Sequence, residues 1–201
     1  TISLSFLVES MVVHRGGVSP NIAYTLALLG VRARIMATVG EDFENYRVWL
    51  ESKGVDTSEM RVIPGVFTAS FFANTDRANA QIASFYPGAM AYASRLSIRE
   101  LSGEPADLVV ISPNDPAAMN KYVIECQELG IPYIYDPSQQ IVRLDADELS
   151  HGIQGAKALF VNEYEFGLVQ KMTGLGEADL LRHVQFMVIT CGGQGSWVVT
   201  D

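Results

Sequence analysis

Polar side chains follow several short apolar runs of this sequence, at the points where strands of an α/β sheet would end. Asp136 comes after the apolar run at 133–135, and Asn162 and Glu165 follow the run at 158–161. The amide of Asn162 and the carboxylate of Glu165, one turn into the following helix, could hold a hydrated Mg²⁺ beside phosphate groups. The alternative is structural, because Asn is a common helix N-cap and an acidic residue is favoured in the first helical turn. Asp136, which precedes a proline, could equally be a turn residue.

Two glycines before a predicted helix form a second candidate site. Gly16 and Gly17 precede an apolar pattern of helical spacing, and Asn21 is the predicted N-cap of that helix. Glycine permits a polar ligand to approach backbone N–H groups closely, and the Asn21 amide can both donate and accept hydrogen bonds. The structural alternative is a turn followed by an ordinary helix cap.

A third candidate is the glycine-rich segment 190–195, which follows an apolar strand pattern. Thr190 offers a hydroxyl, and Gly192 and Gly195 leave backbone groups open to a ribose or a phosphate. The segment lacks the third glycine of a dinucleotide fingerprint, and a strand pattern rather than a helix follows it. A plain hairpin turn is the structural alternative.

Aromatic side chains on a predicted hairpin could stack on a flat ring. Phe71 and Phe85 stand in two β-forming stretches, 68–74 and 81–86, which flank a turn-rich segment. Aromatic residues on one face of a small sheet more often serve packing, and packing is the alternative here.

The composition is that of a globular α/β protein and argues against several functions. Of 201 residues, 48% are hydrophobic and 18% are charged, which is far from the composition of disordered chains. A net charge of −9 repels polyanions, so no nucleic acid partner is expected. No apolar run is long enough for a membrane span and the first residues lack a basic signal segment, so a cytoplasmic protein without membrane contact is predicted. Cys126 and Cys191 are expected to be free thiols.

Alternating strand and helix patterns predict a parallel sheet with crossover helices. A first helix runs from Asn21 to Gly30, and a second helix is capped by Asp42 and stopped by Gly54. A strand at 4–13 is expected to pair with the hairpin in a small separate sheet. The other predicted elements are strands at 34–39, 108–112, 133–136, 158–161 and 186–190, and helices at 116–129 and 163–173.

The order and spacing of these motifs resemble those of the ribokinase-like (PfkB) family of sugar and nucleoside kinases. The match runs along essentially the whole chain, and the joint order of the motifs is far more specific than any one of them. The matching positions are Gly16, Gly17, Asn21, Ala23, Gly30, Gly40 with Asp42, Asn162 with Glu165, and Thr190 with Gly192 and Gly195. Within the family, the stretches 5–8, 83–90 and 136–140 look most similar to the bacterial adenosine kinases.

The resemblance implies a three-layer α/β/α sandwich with a mostly parallel sheet and a small β-sheet lid. Residues 1–15 and 66–92 would form the lid, and residues 16–65 and 93–201 would form the nucleotide- and substrate-binding core. In relatives, lids of this kind pair between subunits, so a homodimer through the lid is a further hypothesis.

The resemblance also assigns roles to individual residues. The implied substrate-binding residues are Gly16, Gly17, Asn21, Phe71, Phe85, Asp136, Gln140 and Arg143. Among them, the glycines and the asparagine would hold sugar hydroxyls, and the two phenylalanines would sandwich a base. ATP would be held by Asn162, Thr190, Gly192 and Gly195, and Glu165 would organise Mg²⁺ through water.

The activity implied by the resemblance is ATP-dependent phosphorylation of the 5′-hydroxyl of a nucleoside, with adenosine as the predicted substrate. A sugar kinase acting on ribose or fructose is the nearest alternative, and the aromatic residues favour the nucleoside because a sugar has no flat face. A non-catalytic nucleoside-binding module is the alternative from another class. A nicotinamide-dependent oxidoreductase is disfavoured, because its glycine fingerprint near a first strand is not found in the sequence.

Two departures from the family pattern bear on activity. Ser19 and Pro20 stand where the family usually has small residues, which predicts an altered backbone approach to the sugar. The family's first strand, with its substrate-binding aspartate, and its Gly-Ala-Gly-Asp motif are not found in this sequence. That motif supplies the anion hole and the catalytic aspartate. The chain is therefore expected to be a fragment truncated at both ends, with the catalytic base beyond Asp201.

Overall fold

A computed structural model of the protein describes residue 5 and residues 7–200. The helices are α1 (Val18–Leu28), α2 (Glu44–Ser52), α3 (Pro116–Leu129), α4 (Ala146–Ile153), α5 (Glu163–Thr173) and α6 (Glu177–Leu181). The strands are β1 (Ala37–Val39), β2 (Met60–Val62), β3 (Ser70–Thr75), β4 (Gln81–Tyr86), β5 (Val109–Ile111), β6 (Tyr133–Tyr135), β7 (Ala158–Asn162), β8 (Phe186–Thr190) and β9 (Ser196–Val199). No helix within the described residues is both long enough and apolar enough to cross a membrane.

Five strands form the main sheet, in the order β5-β6-β7-β8-β9. The first four are parallel, and β9 pairs antiparallel with β8. Helices α3 and α5 pack against these strands, and the apolar strand residues are buried as a result. Fully buried side chains of the sheet include Tyr133, Tyr135, Leu159 and Met187. The predicted α/β class and mostly parallel sheet are thereby confirmed.

Helices α3 and α5 begin and end at the residues that their sequence signals predict. Pro116 occupies the first turn of α3, where a backbone N–H would have no partner within the helix and is therefore not needed. Gly130 ends α3 and Gly174 ends α5, each in the left-handed conformation. Cys126 on α3 is a buried free thiol, as predicted.

A smaller apolar cluster lies between α1, α2 and the parallel strand pair β1-β2. The sequence pattern does not predict β2, because a strand of three residues with two of them exposed carries no recognisable periodicity. The strand predicted over 34–39 is shorter in the structure and begins at Ala37, while Arg34 joins Asp56 only through an isolated bridge.

Strands β3 and β4 form the antiparallel hairpin that the turn-rich segment between them predicts. Phe71 lies directly opposite Phe85 in its register. The hairpin also meets the N-terminal segment through an ion pair between Arg77 and Glu9, with 2.9 Å between the charged atoms.

The predicted strand at 4–13 is wrong for the part of that segment that the structure describes. Residue 5 and residues 7–13 form no strand, and the hairpin is a sheet of two strands. Leu4 and Phe6 lie outside the described residues. A β-rich composition becomes a strand only where a neighbouring edge supplies backbone hydrogen bonds, and the described residues of this segment have no such ladder.

Close backbone contacts hold the base of the hairpin against the rest of the chain. Gly88 has a φ of 48°, and a Cβ added there would lie 2.2 Å from the Phe67 carbonyl oxygen. That carbonyl accepts the Ala89 N–H at 2.9 Å. The Thr38 hydroxyl donates to the Ala89 carbonyl at 2.7 Å. The base of the hairpin is therefore tightly packed against the core, and we call this region around Phe67, Gly88 and Ala89 the junction.

Asp42 belongs to the same junction and does not cap α2, so that predicted cap is wrong. It lies in a 3₁₀ turn, Glu41–Phe43, ahead of the helix. Its carboxylate accepts hydrogen bonds from the N–H and the hydroxyl of Thr68, at 2.8 and 2.7 Å. Thr68, which is 26 positions away in the sequence, thus binds the Asp42 carboxylate, and the carboxylate does not cap the helix.

Candidate active site

The carboxyl ends of the parallel strands meet along one edge of the main sheet, where ligands of open α/β sheets bind. Ser112, Asp136, Asn162 and Thr190 stand at or just after the ends of β5, β6, β7 and β8, and we call these four residues the carboxyl edge. Asn162 and Thr190 are direct partners in the register of β7 and β8. The fold thus brings together polar residues that are far apart in the sequence.

Asn162 and Glu165 form a reciprocal capping box at the start of α5. Asn162 Oδ1 accepts the Glu165 N–H at 2.8 Å, and Glu165 Oε2 accepts the Asn162 N–H at 2.8 Å. The structural interpretation of this motif is therefore confirmed. The other carboxylate oxygen, Glu165 Oε1, accepts a hydrogen bond of 3.3 Å from the Ser138 hydroxyl, in the segment after β6.

Asp136 lies close to this capping box and has an altered acidity. Burial raises the pKa of Asp136 to about 6, and the negative charge of Glu165 adds to the increase. Two carboxylates in such proximity favour a cation between or beside them.

Asp136→Asn is expected to stabilise the protein at pH 8 by about 3 kcal/mol, since the pKa is raised by about two units and each unit corresponds to about 1.4 kcal/mol. The folded-state pKa lies above the ordinary value, so the ionised form is disfavoured in the fold above pH 6. That destabilisation falls as the pH drops from 6 towards 4 and is lost below the ordinary pKa, where the group is protonated in the folded and unfolded states alike. Thermal unfolding of both proteins at pH 4, 6 and 8 measures the effect. A difference in Tm that stays constant over this range would contradict the prediction.

The segment after β8 forms a hairpin turn into β9, as the structural alternative predicts. A 3₁₀ turn, Gly192–Gln194, joins the strands, and the Cys191 N–H donates to the Gly195 carbonyl at 2.8 Å. Thr190, Gly192 and Gly195 are all exposed. Their role in nucleotide binding stays a prediction.

Gly16 and Gly17 lead into α1, but the helix starts earlier than the sequence predicts. It begins at Val18 with Gly17 as its N-cap, and Asn21 lies inside the helix with its N–H bonded to the Gly17 carbonyl at 3.0 Å. The prediction that Asn21 is the N-cap is therefore wrong. Pro20 is compatible with this start, because proline is tolerated in the first turn of a helix. The Asn21 side chain is exposed.

A hydrogen bond that the sequence does not predict joins α1 to the carboxyl edge. Ser19 Oγ and Ser112 Oγ lie 2.9 Å apart, although 93 positions separate the two residues. Ser112 is buried directly after β5, and its place after an apolar run was the signal available in the sequence. The bond connects the Gly16–Gly17 end of α1 to the edge that carries Asp136.

Gln140 and Arg143 lie in the 3₁₀ segment Ser138–Arg143. Gln140 is only 5% exposed, and its Oε1 accepts a hydrogen bond of 3.2 Å from Arg143 Nη1. Arg143 itself is exposed. The two side chains thus bind each other in this structure, and their contact with a substrate stays a prediction.

Phe71 and Phe85 present two aromatic rings on one face of the hairpin, because directly opposed residues of antiparallel strands share a face. Phe71 is 64% exposed and Phe85 is 52% exposed. Phe72 points to the other face, since side chains alternate along a strand. Rings this exposed are available to a planar ligand and do little core packing.

Magnesium fits the carboxyl edge only as a partly hydrated ion. Within residues 7–200, no group of three or more His, Cys, Asp or Glu side chains could hold a metal ion. Asp136 and Glu165 offer two carboxylates. Mg²⁺ commonly takes one or two protein carboxylates, several waters and substrate phosphates, and the residues present match that pattern.

These features define an α/β protein with a candidate ligand site at the carboxyl edge and a hairpin that carries exposed aromatic side chains. Comparison with known families agrees with this class. The family model for the pfkB family carbohydrate kinases matches residues 2–201, and the chain belongs to this family. The resemblance inferred from the motifs is thereby confirmed.

Individual relatives extend the comparison. A nucleoside kinase of Methanothermobacter thermautotrophicus is 28% identical over 189 residues, which are 92% of this chain and 61% of that protein. The structure of Burkholderia thailandensis nucleoside kinase in complex with inosine has a TM-score of 0.91 at 34% identity and covers 98% of this chain and 66% of that one. Methanocaldococcus jannaschii nucleoside kinase, an archaeal member of the ribokinase family, has a TM-score of 0.83 at 25% identity and covers 90% and 60%. The ribokinase-like fold is confirmed, and this chain spans less than two thirds of the length of each of these relatives.

Proposed function

We propose that this chain is part of an ATP-dependent kinase that phosphorylates the 5′-hydroxyl of a purine nucleoside, with adenosine or inosine as substrate. The observation that carries the nucleoside assignment is the exposed aromatic pair Phe71 and Phe85 on one face of the hairpin. Aromatic rings stack on the flat face of a base, and a sugar offers no such face. Relatives named as nucleoside kinases, one of them bound to inosine and also to ADP-inosine, support the same assignment.

The carboxyl edge is the proposed nucleotide side of the site. Asn162 and Thr190 would contact the phosphates of ATP, with Gly192 and Gly195 leaving room for the nucleotide. Bound Mg²⁺ would neutralise charge on the phosphate oxygens, which is its usual contribution to phosphoryl transfer. Glu165 would orient waters of the metal while its other oxygen caps α5. Asp136 would be kept ionised by the cation, although burial raises its pKa.

The opposite side of the proposed site is the start of α1. Gly16 and Gly17 would bind the sugar hydroxyls through their backbone, and the exposed Asn21 side chain would add a donor and an acceptor. The bond between Ser19 and Ser112 supports this arrangement, because it joins that helix end to the carboxyl edge. We do not assign any of the described residues as the base that accepts the hydroxyl proton.

Titration calorimetry with inosine, adenosine, ribose and fructose tests the proposal, together with Mg²⁺·ADP as a second ligand. We expect each nucleoside to bind at least tenfold more tightly than either sugar, and Mg²⁺·ADP to bind at the same time as the nucleoside. Tighter binding of ribose or fructose would favour the sugar-kinase alternative. Nucleoside binding with no affinity for Mg²⁺·ADP would favour a non-catalytic module.

The metal role of Glu165 has a matched control in the same chain. Asp145 and Glu148 form a second capping box at the start of α4, with the same pair of hydrogen bonds. Glu165→Gln and Glu148→Gln should therefore have similar, small effects on stability. Only Glu165→Gln is expected to weaken binding of ADP in the presence of Mg²⁺, by roughly tenfold, because it removes a charge near the metal. Equal ADP affinities for the two variants, measured by calorimetry with and without Mg²⁺, would argue for a purely structural Glu165.

We further propose that the hairpin face opposite the aromatic pair contacts a second copy of the chain. That face carries Phe72, Ile82 and Tyr86, and all three are exposed. Exposed apolar clusters of this kind are typical of interaction surfaces. Light scattering over a dilution series is expected to show a dimer that dissociates on dilution, and Ile82→Glu should shift the protein towards monomer. A monomer at every concentration would contradict the hypothesis.

A further inference from the structure

An aromatic cluster between α1 and α2 lies next to the Gly16–Gly17 segment. The ring centroids of Tyr24 and Trp49 are 5.1 Å apart, and those of Tyr46 and Trp49 are 5.8 Å apart. Both distances are in the range of favourable aromatic pairs. The cluster fixes the orientation of the Tyr46 and Trp49 rings with respect to each other.

Two successive residues of the N-terminal segment are attached to this cluster. The Arg15 guanidinium carbon lies 5.3 Å from the centroid of the Trp49 ring and 6.0 Å from that of Tyr46, within cation–π range. The Tyr46 hydroxyl donates a hydrogen bond of 3.2 Å to the Gly16 carbonyl. One contact thus holds a side chain and the other holds the backbone of the following residue.

The chemistry of Tyr46 suits this hydrogen bond. A tyrosine phenol is protonated at physiological pH and can donate, and partial burial raises the pKa of Tyr46 further, although the charge of Arg15 opposes the increase. Within residues 7–200, this is the one hydrogen bond that the Gly16 carbonyl accepts. Gly16 itself has open space where a Cβ would be, so no packing of its own holds it.

The attached segment ends where α1 begins. Gly17, the N-cap, has a φ of 104°, and its carbonyl accepts the N–H of Asn21 at 3.0 Å. The conformation of Gly17 is therefore determined from the helix side by Asn21, and the position of Gly16 is determined from the other side by Tyr46. A segment anchored at both ends is ordered before a ligand arrives, which reduces the entropy lost on binding.

We propose that Tyr46 and Trp49 are positioning residues that hold Gly16 and Gly17 in the conformation that receives the sugar hydroxyls of the nucleoside. This inference rests on the function proposed above. Tyr46 acts through its bond to the Gly16 carbonyl, and Trp49 acts through the guanidinium of Arg15. Neither residue needs to touch the substrate.

Trypsin provides a test of the attachment that needs no ligand, because Arg15 is itself a cleavage site. Proteolysis in the native state requires local opening, and its rate follows the population of the open form. Tyr46→Phe keeps the ring and removes the hydroxyl, and Trp49→Leu removes the cation–π partner. We expect either variant to speed cleavage after Arg15 by roughly three- to tenfold, as the loss of one such contact implies.

Tyr24→Phe is the matched control, because it removes a hydroxyl from the same aromatic cluster without touching the segment. Its cleavage rate after Arg15 is expected to equal that of the wild type. Initial rates are measured by mass spectrometry of the N-terminal product, and thermal unfolding verifies that Tyr46→Phe and Tyr24→Phe have the same global stability. Equal cleavage rates for Tyr46→Phe and the wild type would overturn the attachment.

Calorimetry then tests the consequence for binding. Tyr46→Phe is expected to weaken inosine binding by roughly three- to tenfold and to leave Mg²⁺·ADP binding unchanged, a split that a general loss of structure would not produce. Faster cleavage with unchanged inosine affinity would overturn the positioning role. A wild-type chain that fails to bind inosine would contradict the function proposed above and with it the role in substrate binding, while the cleavage rates would still decide whether the cluster holds the segment.

Discussion

Gly88→Ala is expected to destabilise the protein by about 3 kcal/mol, which is a large effect for the addition of one methyl group. Two physical causes add. A residue other than glycine at a φ of 48° is strained by about 1–3 kcal/mol. The new Cβ would also lie 2.2 Å from the Phe67 carbonyl oxygen and 2.7 Å from the Tyr86 ring, and overpacking of this kind costs about 1–3 kcal/mol. The backbone can relax only by weakening the bond between the Ala89 N–H and Phe67.

Gly54→Ala separates these two causes. Gly54 has a positive φ of 83°, but no atom lies within 4 Å of the Cβ that alanine would add. It should therefore show the backbone strain without the steric clash, a loss of about 1 kcal/mol. Thermal unfolding followed by circular dichroism measures both variants, and the Tm of Gly88→Ala should fall by roughly 6–12 °C, at roughly 2–4 °C for each kcal/mol. Equal Tm values for the two variants would show that the junction tolerates the methyl group.

Phe71→Ala is expected to weaken inosine binding by roughly ten- to a hundredfold. Stacking of a base on an aromatic side chain contributes about 1–3 kcal/mol, and each 1.4 kcal/mol is a factor of ten in affinity. Phe71 is 64% exposed, so its truncation removes little core packing and should change the Tm only slightly. Titration calorimetry with inosine and with ribose measures the effect, and ribose affinity should stay the same because a sugar does not stack.

Phe72→Ala is the matched control for this experiment. Phe72 adjoins Phe71 in the sequence, is 62% exposed and points to the other face of the hairpin. Its truncation should leave inosine affinity within about twofold of the wild type. If both variants bind inosine as the wild type does, the aromatic pair serves packing or association and the nucleoside assignment loses its main support.

Local sequence signals predicted the elements whose ends are set by neighbouring residues. The bounds of α3 follow from Pro116 and Gly130, and those of α5 from Asn162 and Gly174, because each of these residues acts on the backbone within one helical turn. The hairpin was predictable for the same reason. The motif of Asn162 and Glu165 was recognisable as a cap, and the structure contains that cap.

Contacts between distant residues explain the predictions that were wrong or missing. Asp42 is of a residue type that commonly caps helices, but the fold places Thr68 beside it, and the Asp42 carboxylate accepts hydrogen bonds from Thr68 instead. Strand β2 exists only because β1 lies alongside, and its three residues carry no periodicity of their own. The segment 4–13 has β-forming residues, but its described part forms no backbone ladder with either edge of the two-stranded hairpin.

In the candidate site, too, some features follow from the sequence and others only from the tertiary structure. The sequence determined which residue types stand after each strand, and the spacing of those residues was enough to indicate the kinase family. Only the tertiary structure decided that Ser19 meets Ser112 and that Tyr46 reaches the Gly16 carbonyl. It also decided that Asp136 is buried, with Glu165 nearby, so that its pKa rises to about 6. Sequence patterns involve residues within one helical turn or one strand of each other, whereas distances and the local dielectric depend on how those elements pack.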